Sequence, residues 1–378
     1  MSLIFPHPPL WLVLIAFVCA IGPLVFFHEL GHYLVARWLR IPAEIFAIGF
    51  GREIVGWTDR QGTRWKVGWL PLGGYVRFVG DMSPASGPVE ESEIAIEDRD
   101  RAFALRPVWQ RFLVVLAGPI ANFLLAIIIF AAFFTFLGTP QTNVVGGIKP
   151  GSPAEAAGIK AGDHILSVGG QTTRTFGEIA TVVATRPDQI VSVTLERRGR
   201  ISEIPVHVGA VELTDPTGTK FRGGMLGIYS STEVREPVSI VRAVPMAVQY
   251  TANLTRLMVD GIVQLVSGHV SAKQVGGPIK IAQVAGEGAA QGPLAFVSFL
   301  ALLSINLGFI NLLPVPVLDG GHLFFYTIEA VRRRPLSAKA LDWAFRGGLA
   351  LILALLIFTT VNDLGSIGLW DRLQRLIG

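Results

Sequence analysis

The residues best suited to do chemistry in this chain are His28, Glu29 and His32, in the run Phe26-Phe27-His28-Glu29-Leu30-Gly31-His32. On a helix, positions i and i+4 share a face. The two imidazoles can therefore hold one ion, with Glu29 beside it and not a ligand. This H-E-x-x-H spacing is how a zinc peptidase grips its metal and activates a water. Its setting is unusual. The motif lies in an apolar stretch long enough to cross a membrane, where ionisable groups are costly and are kept for a task. Two histidines and one carboxylate would also suit iron(II). The adjacent Glu29, a ready general base, favours zinc and hydrolysis.

A catalytic zinc takes three protein ligands and leaves a position for water. Glu44 and Glu53 compete for the third place, but they follow Pro42, beyond the helix. No histidine completes the longer H-E-x-x-H-x-x-G-x-x-H pattern, because Val35 and Trp38 stand where its glycine and histidine would. The better candidate is Asp319, in Asn311-Leu-Leu-Pro314-Val-Pro316-Val-Leu-Asp319-Gly320-Gly321-His322. Pro314 and Pro316 lack backbone donors and disfavour helix. Unwound backbone at membrane depth is tolerated only where protein buries it or a cavity receives it. Asn311 can donate and accept there, to orient the metal site or a substrate peptide. His322 is open to three readings: a further ligand, a supporting group, or a helix-start histidine with no metal contact.

The elements that must position these groups follow from composition. Of 378 residues, 51% are hydrophobic and only 16% charged, where a soluble domain carries about 25% charged. The chain is expected to be an integral membrane protein. Four stretches reach or approach the roughly 20 apolar residues of a span: about 9–39, 108–137, 294–313 and 349–361. The last is short unless it begins near Ala340. Arg37, Arg40, Arg52, Arg60, Arg64, Lys66 and Arg77 follow the first span, and Arg332, Arg333, Arg334, Lys339 and Arg346 follow the third. The positive-inside rule puts both connections in the cytoplasm, with the termini and the segment 138–293 outside. His28, His32 and Asp319 then fall at one depth, near the inner face. A fifth span at 237–268 would separate them. That stretch contains Arg242, Gln249, Asn253, Arg256, Asp260 and Gln264, and is expected as an interfacial amphipathic helix. The single cysteine, Cys19, excludes an internal disulfide and a cysteine-rich zinc site. The N-terminus lacks a basic region and a convincing cleavage site, so no removable signal peptide is expected. The acidic stretch 81–100 reads as a flexible cytoplasmic loop. No role is assigned to His7, His207 or His269.

These motifs resemble the site-2 protease family of intramembrane metalloproteases, in its bacterial subgroup of regulator-of-sigma-E type. The family shows H-E-x-x-H in its first span and N-x-x-P-x-P-x-L-D-G in its third; this chain has FFHELGH and NLLPVPVLDGG. The resemblance implies that His28, His32 and Asp319 bind zinc, that Glu29 is the general base, and that Asn311 helps hold substrate or transition state. Gly118-Pro-Ile-Ala-Asn122 resembles the family's G-x-x-x-N element, which fits close helix packing and a hydrogen bond from Asn122 across the core. Thr63 to Gly80 alternates and turns like a β-hairpin. In the family a re-entrant β-element approaches the active site, and Gly73, Gly74, Tyr75 and Val76 would be its tip and the edge offered to an extended substrate. Between spans two and three, GSPAEAAGI and AGDHIL resemble a bacterial protease-type PDZ domain, with strands expected at 190–197 and 201–208. Gly224, Met225, Leu226, Gly227 and Ile228 resemble its peptide-carboxylate loop, in a circularly permuted order.

The expected fold is therefore a polytopic α-helical membrane protein of about four spans. It carries a membrane-associated β-hairpin and one inserted periplasmic PDZ-like α+β domain. Residues 1–137 form the first half of the membrane domain, with the β-element at 43–80. Residues 138–232 form the PDZ-like domain, 233–292 the interfacial segment, and 293–378 the second half. The expected partners are the lipid bilayer of a bacterial inner membrane, a single-pass substrate such as an anti-sigma factor or a remnant signal peptide, and a peptide or periplasmic ligand at the PDZ-like domain. No nucleic acid is expected. A scaffold without metal and a transporter with a His/Asp ion site are the rival classes; the chain lacks the inverted repeats that would favour a transporter.

Overall fold

The computed structural model describes residues 8–80, 99–140, 143–173, 175–214, 220–230, 235–236, 238–267 and 276–366. His7, His269 and all but the end of the acidic stretch 81–100 lie outside the described residues. Two compact units emerge. One comprises Met1–Ile129, Val248–Ile262 and Val275–Gly378; the other comprises Phe130–Ala247 and Val263–Gln274.

The first unit begins with helix α1 (Leu10–Trp38), followed by strands β1 (Ala43–Thr58) and β2 (Arg64–Phe78) and helix α2 (Val108–Phe136). The strands pair twice over. Phe46 pairs with both Val76 and Trp65, Ala47 with both Tyr75 and Lys66, and Ile48 with both Gly74 and Val67. The first half of β1 therefore lies between the two halves of β2. The second half of β1 pairs on through Val55↔Val67 to Thr58↔Arg64. Gly49 and Gly51, at φ of 80° and 85°, allow β1 to change direction between its halves. The hairpin read within 63–80 is thus one side of a larger element, and its turn is at 59–63. Gly73 sits at a bend (φ 89°) and not at a tip, while Gly74, Tyr75 and Val76 form an edge. Phe46, Val76 and Phe78 pack with Tyr33, Ala36 and Val114, joining sheet, α1 and α2 in one core.

The second unit holds β3 (Thr139–Pro140), β4 (Val145–Ile148), α3 (Pro153–Ala156), β5 (His164–Val168), β6 (Gln171–Thr172), α4 (Phe176–Ala184), β7 (Ile190–Arg197), β8 (Arg200–His207), β9 (Gly209–Thr214), β10 (Lys220–Met225), β11 (Ile228–Ser230) and β12 (Arg235–Glu236). A four-stranded sheet runs β6-β5-β7-β8, and β9 pairs β10 while β4 pairs β11. Alternation explains β7: Val191, Val193 and Leu195 face inward onto Ile165, Ile179 and Val206. Both strands expected at 190–208 are present. The buried Asp163 is held by Arg197 at 2.6 Å and by the Lys160 amide at 2.7 Å.

The chain continues through α5 (Ile240–Val266), α6 (Pro278–Gln291), α7 (Pro293–Leu312), α8 (Asp319–Arg332) and α9 (Ala338–Ser366). Among the described residues four helices are long and apolar enough to cross a membrane: α1, α2, α7 and α9. The fourth begins near Ala340, as its short apolar run required. Helix α5 covers the rival fifth span but is not apolar enough to qualify. Helix α6 was not foreseen. It packs on α1, where Gly286 lies against Val13. Its first amides are bound by Asp363 of α9, from Gly277 at 3.0 Å and Lys280 at 2.9 Å.

Asp59 fastens the β-element to α1. One carboxylate oxygen accepts from Tyr33 Oη at 3.0 Å and Trp65 Nε1 at 3.1 Å. The other accepts from the amides of Gln61 at 2.9 Å and Thr63 at 3.0 Å. Burial alone would raise the Asp59 pKa, but these donors favour its charge and hold it down to about 2. A depressed carboxylate stabilises the fold fully above its unfolded pKa of about 3.9, and the contribution is lost as pH falls through the folded value. Solvent screens this largely accessible group, so Asp59→Asn should cost about 1 kcal/mol at pH 7 and almost nothing near pH 2. Thermal unfolding in detergent at the two pH values checks this; an equal cost at both would refute it.

Candidate active site

The site is built where α1 and α2 touch. A Cβ on Gly31 would meet the Ala117 carbonyl and Ala121, and one on Gly118 would enter the His32 ring. This close approach lets α2 hold both histidines of α1. His32 Nδ1 donates to the Val114 carbonyl at 2.8 Å, which fixes the tautomer and leaves Nε2 with its lone pair. His28 Nδ1 lies 3.0 Å from the side-chain amide of Asn122. Asn122 Oδ1 is buried without a partner. With the amide turned so that Oδ1 accepts from the ring N–H, His28 Nε2 is also free to bind a cation. Ser304 of α7 donates to the Asn122 carbonyl at 2.8 Å, bringing a third helix to the same point.

Asp319 completes the cluster from the start of α8. Its Oδ2 lies 3.1 Å from His28 Nε2 and 3.5 Å from His32 Nε2, and the two Nε2 atoms are 3.2 Å apart. Asp319 Oδ2 is buried and has no hydrogen-bond partner. Three potential ligand atoms thus converge on one point, an arrangement that a cation can bridge. A tetrahedral ion with bonds of 2.0–2.1 Å sets its ligands about 3.3–3.4 Å apart, and the triangle has that size. The donor set of two imidazoles and a carboxylate fits zinc. His28, His32 and Asp319 are the only such group among the described residues.

Local sequence explains how Asp319 arrives. Helix α7 ends at Leu312, and Pro314 and Pro316 prevent its continuation. The connecting loop folds back over the first turn of α8. A Cβ on Gly320 would strike the Leu312 and Leu313 backbone, and one on Gly321 would strike Val315 and Pro316. Two glycines after Asp319 are therefore required by packing. Val317 adopts φ 87°, a region costly for a β-branched residue.

Glu29 is buried next to the residues of this cluster, close to the backbone of Val76. A Cβ on Gly74 would touch Glu29 Cγ at 3.2 Å. The edge formed by Gly74, Tyr75 and Val76 therefore runs beside the carboxylate. The rival ligands lie elsewhere: Glu44 pairs with Arg77 at 2.8 Å, and Glu53 pairs with Arg64. Asn311 is half-buried in the last turn of α7. His322 falls outside the ligand cluster, so the reading of it as a ligand is dropped. Its ring packs on Phe345, with centroids 5.1 Å apart, and burial lowers its pKa against the pull of Asp319. In the inserted domain, Gly224 and Met225 end β10, Leu226 and Gly227 turn, and Ile228 begins β11. The carbonyls of Leu226 and Gly227 accept from Ala154 and Lys149. Sequence reasoning missed Asp59, Tyr33 and Val114. The first two carried no spacing signal, and Val114 acts through its backbone.

The profile of peptidase family M50 matches residues 16–355. The chain belongs to this family, the site-2 proteases. Relatives named as zinc metalloproteases include one of Rhizobium meliloti, 44% identical over 90% of this chain and 93% of that protein. One of Agrobacterium fabrum is 42% identical over 94% and 96%. Metalloprotease MmpA of Caulobacter vibrioides is 37% identical over 93% and 95%. The PDZ domain of an SdrC-like protein from Listeria monocytogenes is similar to part of this chain at 20% identity, covering 24% of this chain and 90% of that one, with a TM-score of 0.20. That likeness is too slight to carry an argument. The protein is a multi-pass membrane zinc metalloprotease of the site-2 type.

The helix contact makes a sharp expectation. Gly118→Ala should displace the His32 ring and strip the metal, whereas Asn122→Ala, which removes a partner of His28, should weaken zinc affinity about 10–100-fold. Metal content and chelator competition on purified protein check both; full zinc retention by Gly118→Ala would contradict the packing argument.

Proposed function

We propose that the protease hydrolyses a peptide bond in or near the transmembrane segment of a single-pass membrane protein, with anti-sigma-factor-like proteins and remnant signal peptides as its substrate class. His28, His32 and Asp319 hold the zinc, and Glu29 is the general base. The observation that carries this reading is the triangle of three ligand atoms from His28, His32 and Asp319, 3.1–3.5 Å apart, next to a buried carboxylate.

Bound zinc supplies a water of near-neutral pKa and polarises the scissile carbonyl. Glu29 takes the proton of the attacking water and delivers it to the leaving nitrogen. A helical substrate hides its amides, so it must unwind before it can be cut. The edge 73–76 offers an extended partner for the unwound segment, supported by its contact with Glu29. Asn311 steadies the substrate backbone from the end of α7. The apolar, exposed Phe50, Ile54, Val55, Trp57 and Trp69 of the β-element face lipid.

The arginine and lysine distribution supports a bacterial inner-membrane protein with its site near the cytoplasmic face and its inserted domain outside. In this reading the inserted domain is PDZ-like, and Gly224, Met225, Leu226, Gly227 and Ile228 receive a peptide beside β11. Its outer edge has no partner strand among the described residues.

Glu29→Gln keeps the size of the side chain but cannot accept the proton. The variant should retain one zinc per chain and lose turnover of a reconstituted single-pass substrate by at least about 10³-fold. Retained cleavage would refute the assignment of the base, and absence of zinc from the wild-type protein would refute the site.

A further inference from the structure

The site contains one more polar group that the proposed reaction leaves unused. His322 follows Asp319 by three positions on α8, which puts both on one face of the helix. The ring is half-buried and wedged between Phe345 and Tyr326, at centroid distances of 5.1 and 6.3 Å. It is near enough to Asp319 and His32 for their charges to act on it. Yet it is not one of the three residues whose ligand atoms gather within 4.8 Å. Its ring nitrogens make no hydrogen bond among the described residues, nor are they sealed from solvent. A polar group one step removed from the ligands, clamped by aromatic rings and left without a partner, is poised for something that enters the site.

We infer that His322 is a catalytic residue that donates a hydrogen bond to the oxygen of the scissile carbonyl as that oxygen gains charge. The inference rests on the proteolytic reading above. In the step concerned, the water oxygen forms a bond to the carbonyl carbon, and the C=O π pair moves onto oxygen. The proton of the water goes to Glu29. The oxyanion then returns its pair, the C–N bond breaks towards nitrogen, and Glu29 delivers the proton there. His322 loses no proton in the cycle; its N–H shortens towards the oxygen as charge builds and relaxes when the carboxylic product forms. A pre-positioned donor aimed at the oxygen where charge develops acts mainly on the transition state. The clamping by Phe345 and Tyr326 keeps the donor from reorganising at the moment of reaction.

The test compares His322→Phe with His322→Gln in full-length protein reconstituted with a cleavable single-pass substrate. His322→Phe preserves the aromatic contacts but has no donor, while His322→Gln keeps an N–H. The expected result is full zinc content in both and KM within about twofold of wild type. The kcat should fall about 10²–10³-fold in His322→Phe and less than tenfold in His322→Gln, as for loss of one oxyanion donor. A phosphinic peptide, whose tetrahedral phosphorus imitates the intermediate, should lose affinity for His322→Phe in parallel with kcat/KM. Activity of His322→Phe within threefold of wild type would overturn the inference. Zinc loss that tracks the activity, or equal defects in both variants, would also overturn it and make His322 a structural support. Failure of the underlying reading is distinct, because the wild-type protein would then cleave no more than Glu29→Gln.

Discussion

Helices α1 and α2 meet with backbone nearly against side chain, and the geometry of the proposed metal site depends on that contact. Methyl groups on Gly31 or Gly118 would collide with the Ala117 carbonyl or the His32 ring. Two glycines therefore set the spacing at which the Val114 carbonyl and Asn122 can reach the outer nitrogens of the two imidazoles. Hydrogen bonds to those nitrogens orient the rings and expose the Nε2 lone pairs. In an apolar surrounding such bonds have no water to compete with them, and leaving either group unpaired would be costly. Small residues at a helix crossing usually serve packing. Here the packing and the orientation of the ligands are one constraint.

Asp319, the third proposed ligand, reaches the cluster by different physics. A helix end is broken by prolines, the chain reverses over Gly320 and Gly321, and Val317 takes an unfavourable dihedral to aim Asp319. Strain of this kind persists only where the surroundings over-determine it. The tight turn onto α8 and the contact of Pro316 with Gly348 of α9 supply that support. Arg111 of α2 clamps the far end of α8, with Glu329 at 2.7 Å and the ring of Tyr326 at 4.8 Å from its guanidinium carbon. Helix α8 is thus held at both ends by groups from other elements.

Much of this was legible in the chain. The grouping of His28 and His32 with Asp319 and the four apolar helices could be read from spacing, apolar length and basic residues, because each is a one-dimensional pattern. A β-element was expected at 43–80, with a single hairpin read within 63–80. Its strands pair twice, and no local spacing encodes that. Helix α6 escaped notice because Gly and Ala dominate it and its buried face is small. Asp59 looked like any turn residue, and only the fold brings Tyr33 and Trp65 to it. Asn122 stood out within its motif, but its choice of partner is a tertiary fact.

The carboxylate of Asp363 has a consequence for mechanics. By holding the Gly277 and Lys280 amides, it fuses the end of α9 to the start of α6. Helix α6 in turn lies along α1 through Gly286 and Val13. The final span carries none of the chemistry, yet it is yoked through α6 to the helix that bears both histidines. A sideways parting of α1 from its neighbours, such as a bulky substrate would demand, must either drag α6 and α9 as one body or first break that anchor. The last helix thereby stiffens the surroundings of α1 as well as adding an apolar helix.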